Sequence, residues 1–195
     1  MGKIIVGLDE AGRGPVAGPI VGAAVLTDGS RLHKKILAKV KDSKVLTAKQ
    51  RQHLFILITE NFPWAVHAID NKFIDRYGIQ ASNVLVLEKS CQQLLSLCSS
   101  EYLLVSDYVG GAKKYLTTEQ VISFYKHGEN KFKIIAAASI VAKVYRDNLL
   151  INLHQKYPDY NFIQHKGYGT KQHLSAIKKY GPSPIHRRSF LKNYL

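Results

Sequence analysis

The first apolar run, Ile4 to Leu8, stops at Asp9-Glu10, and its length and content predict a buried strand. A glycine-rich turn follows, Gly12-Arg13-Gly14-Pro15, with Gly18 and Pro19 close behind. Ile20 to Leu26 is small and β-branched and predicts a second strand, closed by the turn pair Asp28-Gly29. Leu54, Phe55 and Ile58 share one stripe of the segment Thr47 to Asn61, which predicts a helix with Thr47 as its N-cap. Trp64 to Ile69 alternates weakly behind Pro63 and predicts a third strand. Val84, Leu87, Cys91, Leu94, Leu95 and Cys98 recur at helical spacing, so Ala81 to Cys98 reads as helix. Tyr102 to Val105 is a compact apolar run ahead of Asp107, a fourth strand, and Val121 to Tyr125 is a short fifth. Ile134 to about Lys156 is a long helix with small residues at its start, ended by Tyr157-Pro158-Asp159. Two strands come before any helix, and the later alternation is imperfect. That order predicts an α/β chain with a mixed sheet flanked by helices, not a purely doubly wound one. From Ile163 onward the chain is rich in Lys, His, Tyr and Gly and is interrupted by Pro182 and Pro184. Residues 1–160 are therefore expected to form a core, and 161–195 a basic, partly helical appendage packed on it.

A chain of 195 residues suits one domain, and its apolar content of 46% suffices for one sizeable core. Charge changes the picture more. The chain has 28 Lys and Arg against 14 Asp and Glu, a net +14 with His neutral. Such an excess predicts a polyanionic partner, nucleic acid ahead of an anionic membrane surface. The cysteines, Cys91 and Cys98, stand in no Cys/His cluster, which argues against zinc and for thiols in a reducing cytoplasm. The sequence enters its first strand at once, leaving no room for a signal peptide. No run reaches the roughly 18 apolar residues of a membrane span. A cytoplasmic protein without a membrane partner is expected.

Asp9 and Glu10 stand at the exit of a core strand, where ionised carboxylates are costly without purpose, although a solvated turn or cap is the plain alternative. Neighbouring strand residues face opposite ways, so both reach one site only if the strand twists or ends there. Asp107 ends another apolar run, and carboxylates converging from two strand ends repel one another unless a cation neutralises them. Oxygen-only ligands suit Mg²⁺ or Mn²⁺, and two such ions in a basic protein describe phosphodiester hydrolysis. Glu129 is a further candidate for the cluster. Gly12-Arg13-Gly14 follows the acids directly, and glycines let amide groups approach an anion. Lys44 of Asp42-Ser43-Lys44 is a candidate phosphate contact, as are Ser139, Lys143 and Arg146 on the long helix, and Lys166. Tyr168 lies between two glycines in His165-Lys166-Gly167-Tyr168-Gly169-Thr170. An aromatic so placed can stack on a sugar or bond a 2′-hydroxyl, the group that separates RNA from DNA. His173 and His186-Arg187-Arg188 add further candidate donors.

Taken in order, Asp9 to Pro15, Asp42 to Lys44, Ala137 to Ile140, Ala142 to Val144, Arg146-Asp147, His165 to Thr170, His186-Arg187 and Ser189-Phe190 resemble the motifs of the type 2 ribonuclease H (ribonuclease HII) family. The resemblance spans almost the whole chain. It implies an RNase H-like fold with a five-stranded mixed sheet and a C-terminal helical appendage. It implies hydrolysis of the RNA strand of RNA/DNA hybrids and incision 5′ of ribonucleotides embedded in duplex DNA, leaving 3′-hydroxyl and 5′-phosphate ends. Ribonucleotide excision and primer removal are the roles it implies. Four acids would hold two Mg²⁺ or Mn²⁺ ions: Asp9 and Glu10 match the first two, Asp107 the third and Glu129 the fourth. The Gly12-Arg13-Gly14 backbone and Tyr168 would read the junction between ribonucleotide and DNA, and a monomer is expected. The chain departs from the pattern at His127-Gly128-Glu129, where the family usually has Lys-Gly-Asp, and at Ser106-Asp107-Tyr108, where Asp-Gly is usual. Asp147 sits inside a helix and is expected to serve a structural partner such as a nearby Arg. The alternatives are a type 3 ribonuclease H restricted to longer hybrids, a junction resolvase on the same fold, and a non-catalytic hybrid-binding module. Type 3 enzymes carry an extra N-terminal domain and usually Lys where Arg13 stands.

Overall fold

The computed structural model describes residues 4–40, 43, 45–96, 101–107, 122–192 and 194. Its centre is a five-stranded sheet of β1 (Ile4–Ala11), β2 (Ile20–Thr27), β3 (Trp64–Ile69), β4 (Tyr102–Asp107) and β5 (Ile122–Tyr125) in the order β3-β2-β1-β4-β5. β1, β2 and β3 form an antiparallel meander, whereas β4 lies parallel to β1 and β5 parallel to β4. The sheet is mixed, as the order of elements predicts. The helices are α1 (Arg31–Leu37), α2 (Ala48–Asn61), α3 (Asn71–Leu95), α4 (Gly128–Lys131), α5 (Lys133–Lys156), α6 (Phe162–His165), α7 (Lys171–Tyr180) and α8 (Arg188–Leu191).

Alternation along β1 sorts its side chains between two cores. Val6 and Leu8 pack with Val84, Val86, Leu87 and Cys91 of α3. Ile5 faces the other way, with Ala23 and Val25 of β2 and the small residues Ala136 to Ala138 of α5. Two glycines bring the helices close. A Cβ on Gly7 would lie 2.4 Å from the carbonyl oxygen of Ile134, and one on Gly22 would lie 2.6 Å from that of Val86. The backbones of α5 and α3 therefore rest on opposite faces of the sheet, where any side chain would hold them off.

α2 begins as predicted, with Thr47 as N-cap, and Gln50 completes a capping box. Other elements differ. α3 starts at Asn71, not Ala81, because a kink at Gly78 breaks the apolar period that marks its second half. α1 escaped the pattern because only His33 and Ile36 of its short length are buried. Cys98 and Val121 lie outside the described residues. The tail is more integrated than its composition suggests. Tyr160, Phe162, Ile177 and Leu191 form a third cluster with Val16, Ala17 and Leu150. Backbone bonds from Val16 to Gly167, Gly18 to Ile185 and Arg187 to Val16 tie the tail to the segment after β1. Among the described residues, no helix is long and apolar enough to cross a membrane.

Candidate active site

The C-terminal ends of the parallel strands β1 and β4 open into a cleft of about 350 Å³. Its lining includes Asp9, Glu10, Gly12, Arg13, Gly14, Ser43, Arg51, Asp107, Ser139, Lys143 and Tyr168. Leu8 pairs with Ser106, so one step further Asp9 and Asp107 lie near the C-terminal ends of neighbouring strands. β1 continues through both acids to Ala11, and alternation sends them to different supports. Asp9 turns toward α5, where the Ser139 hydroxyl favours its charged form. Glu10 turns toward α3, where the buried Asn83 donates to its Oε1 at 3.2 Å. Both still line the same cleft, from the last three residues of β1. Asp107 accepts the amide of Gly128 on Oδ1 at 3.0 Å, which anchors the start of α4. Glu129 follows Gly128 in that helix, but its side chain lies outside the described set.

Burial is the first cause that pushes Asp9 well above the usual carboxylate pKa, and the charge of Glu10 beside it adds to the shift. Burial also raises Glu10, against the opposing pull of Arg13, whose guanidinium lies 3.7 Å away. Asp107 raises both. These acids share one field and ionise together only at a cost.

The glycine turn forms one wall. The ring of Tyr168, 43% exposed, stands over Gly14, and the Lys143 ammonium lies 5.9 Å from its centroid. Lys143 also pairs with Asp147 at 2.7 Å, so the partner of Asp147 is a lysine rather than an arginine. Ser139 Oγ meets Ser43 Oγ at 2.9 Å, which docks the loop before α2 onto α5. Arg51 of α2 holds the carbonyls of Ser43 and Leu46. Ser43, Arg51 and Asn83 carried no signal in the sequence beyond the neighbourhood of Asp42-Ser43-Lys44. They reach the site through tertiary packing alone.

Residues 6–193 match the profile of the Ribonuclease HII family. The chain belongs to the ribonuclease HII family. It is 43% identical to a ribonuclease HII of Clostridium perfringens over 99% of this chain and 68% of that protein. Its fold is similar to that of the ribonuclease H2 from Pyrococcus horikoshii OT3, with a TM-score of 0.77 at 29% identity, covering 98% of this chain and 96% of that one. Bst-RNase HIII in complex with Mn²⁺ shares the fold at 22% identity and a TM-score of 0.73, covering 96% of this chain and 64% of that one. The architecture is thus the RNase H-like fold that the motifs implied. The protein is a ribonuclease H, an endonuclease acting on RNA/DNA hybrids, and its family uses divalent metal ions.

One expected phosphate contact of this ribonuclease HII needs correction. The Arg146 side chain is fully buried, and its guanidinium donates to the carbonyls of Pro19, Lys166 and Ala17. It cannot present a donor to solvent. Its helical spacing from Ser139 and Lys143 concealed this, because α5 turns it under the glycine turn. Lys166 is absent from the cleft lining, and its ammonium donates to the carbonyl of Ile163. His173 and His186 are buried too, and Arg187 points inward. Asp42 and Lys44 lie outside the described residues.

The donor set suits a hard divalent cation. Asp9, Glu10 and Asp107 offer only oxygen, and burial first, then their mutual charge, raises the pKa values of the first two. Among the described residues, no three His, Cys, Asp or Glu side chains are grouped tightly enough to hold an ion by themselves. The Glu129 side chain is not in that set.

Proposed function

We propose that this ribonuclease HII incises duplex DNA on the 5′ side of embedded ribonucleotides, and cuts the RNA strand of longer hybrids, leaving 3′-hydroxyl and 5′-phosphate ends. The observation that carries the reading is that Asp9, Glu10 and Asp107 share one cleft with the glycine turn and Tyr168. Asp9, Glu10, Asp107 and Glu129 would hold two ions, Mg²⁺ or Mn²⁺. Bound there, such ions supply an activated water and counter-charge for the departing 3′ oxygen. Ser139 and Asn83 orient the carboxyls of Asp9 and Glu10. The amides of Gly12, Arg13 and Gly14 meet the sugar and phosphate of the ribonucleotide, and the exposed Tyr168 ring packs on its sugar. Lys143, with Lys44, contacts the backbone phosphates, which makes binding salt-dependent. The enzyme works as a cytoplasmic monomer in ribonucleotide excision and primer removal.

The test is a duplex with one embedded ribonucleotide, incubated with Mg²⁺, Mn²⁺ or chelator. Cleavage on its 5′ side that needs a divalent ion is expected, with Asp9→Asn inactive yet still binding a hybrid. Cleavage of long hybrids alone would replace this reading with type 3 activity. Binding without cleavage would make the protein a hybrid-binding module, and cleavage of branched all-DNA substrates a resolvase. Full activity of Asp9→Asn would remove the proposed catalytic acids.

A further inference from the structure

Two arginines lie buried behind the glycine turn; their guanidinium groups donate to backbone carbonyls, and that of Arg187 also lies 5.2 Å from the Phe190 ring centroid. Arg187 donates from Nη2 to Gly12 O at 2.7 Å, from Nη1 to Arg13 O at 3.0 Å and from Nε to Gly18 O at 3.0 Å. Arg146 donates from Nε to Pro19 O at 2.9 Å, from Nη2 to Ala17 O at 3.1 Å and from Nη1 to Lys166 O at 3.0 Å. Both side chains are fully buried. The described ion pairs involve Arg13, His33 and Lys143, not these arginines. Burying a guanidinium without a carboxylate is costly, and here carbonyls of the segment after β1, with that of Lys166, compensate it.

The direction of those carbonyls has a consequence for the amides. The described peptides are all trans, so the C=O of one residue and the N–H of the next point opposite ways. With the Gly12 and Arg13 carbonyls drawn inward onto Arg187, the amides of Arg13 and Gly14 are turned outward. Both residues line the cleft, and neither amide donates in any described hydrogen bond. Gly12 adopts φ +101°, and a Cβ there would lie 2.1 Å from Arg146 Nε, so the second guanidinium fills the space behind the turn. Burial lowers the pKa of Arg187 to about 9 and that of Arg146 to about 10, so both remain cations at neutral pH. They place fixed positive charge behind amides that already face the cleft.

We propose that Arg187 is a positioning residue for recognition of the ribonucleotide. By holding the Gly12 and Arg13 carbonyls it aims the Arg13 and Gly14 amides at oxygens of the sugar–phosphate unit, and Arg146 braces the same turn from behind. This rests on the reading of the glycine turn as the part that meets the ribonucleotide. A lysine cannot replace Arg187, because one ammonium lacks the planar fork that reaches separate carbonyls.

The test compares wild type, Arg187→Lys and Arg146→Lys on the single-ribonucleotide duplex, with affinity for plain duplex DNA as a second readout. Arg187→Lys is expected to lose about 100-fold in kcat/KM, the scale of a misplaced backbone donor, with DNA affinity changed less than about threefold. Millimolar guanidinium is expected to restore part of the activity of Arg187→Ala and none of that of Tyr168→Ala. Wild-type cleavage with an equally active Arg187→Lys would overturn this inference, whereas absence of cleavage by wild type would overturn the reading beneath it. If the Arg187 variants do not fold, amide exchange in Asp9→Asn decides the matter. The ribonucleotide-containing duplex should slow exchange at Arg13 and Gly14 relative to plain DNA, and unchanged exchange at both would overturn the inference.

Discussion

Acidification to pH 5 is expected to cost this fold roughly 4 kcal/mol through two histidines alone. The amide of Ser183 donates to His186 Nδ1 at 2.9 Å, so the proton of that ring sits on Nε2 and is donated to His173 Nε2 at 3.0 Å. His173 then carries its own proton on Nδ1, donated to the Tyr168 carbonyl at 2.9 Å. Both rings are neutral with every nitrogen satisfied, and an added proton would face another donor. Burial accordingly lowers each pKa from 6.5 to about 4, first through desolvation. Between those values the unfolded chain binds a proton that the native ring refuses. The stabilisation is complete above about pH 6.5 and is lost as the pH falls toward 4. At pH 5 the loss is roughly 2 kcal/mol per ring. His165, stacked on His173 at 4.1 Å and also shifted downward by burial, acts in the same direction. Urea unfolding, followed by the fluorescence of Trp64, is to be measured at pH 7.5 and pH 5 without divalent ions. The comparison is a variant with His173→Gln and His186→Gln. That variant should start less stable, and its further loss on acidification should be smaller than that of wild type by about 4 kcal/mol. Asp9 and Glu10, whose raised pKa values act in the opposite sense, cancel in the difference. Equal losses in the two proteins would refute the assignment of neutral, mutually bonded rings.

Two further outcomes follow from close contacts. Gly7→Ala forces the Ile134 backbone away from β1 and is expected to destabilise the fold by about 3 kcal/mol, seen as a lower urea midpoint; an unchanged midpoint would show that α5 can slide. Asn83→Ala removes the 3.2 Å bond to Glu10 and is expected to lower kcat about tenfold with KM for a hybrid nearly unchanged, which steady-state kinetics checks; a change confined to KM would place Asn83 in binding instead.

The acids were legible because their signal is local. Asp9, Glu10 and Asp107 interrupt apolar runs, and the end of a buried strand is where a carboxylate is conspicuous. The strands and α5 were legible for the same reason, since period and run length report on burial of a face. α1 and the first half of α3 were not, because a short helix with few buried positions and a helix kinked at Gly78 show little period. The arginines mark the boundary most clearly. Arg146 follows Lys143 on the same helix, and Arg187 stands in a basic run, so sequence alone places both among solvent-facing phosphate contacts. The fold turns them inward, because the segment after β1 has carbonyls that no strand or helix satisfies, and the long guanidinium arms reach them. The sequence by itself determined the mixed α/β architecture, the acidic strand ends and the family motifs. Only the tertiary structure decided which cations face the cleft and which brace its wall, because charge belongs to a residue type but its direction depends on what packs around it.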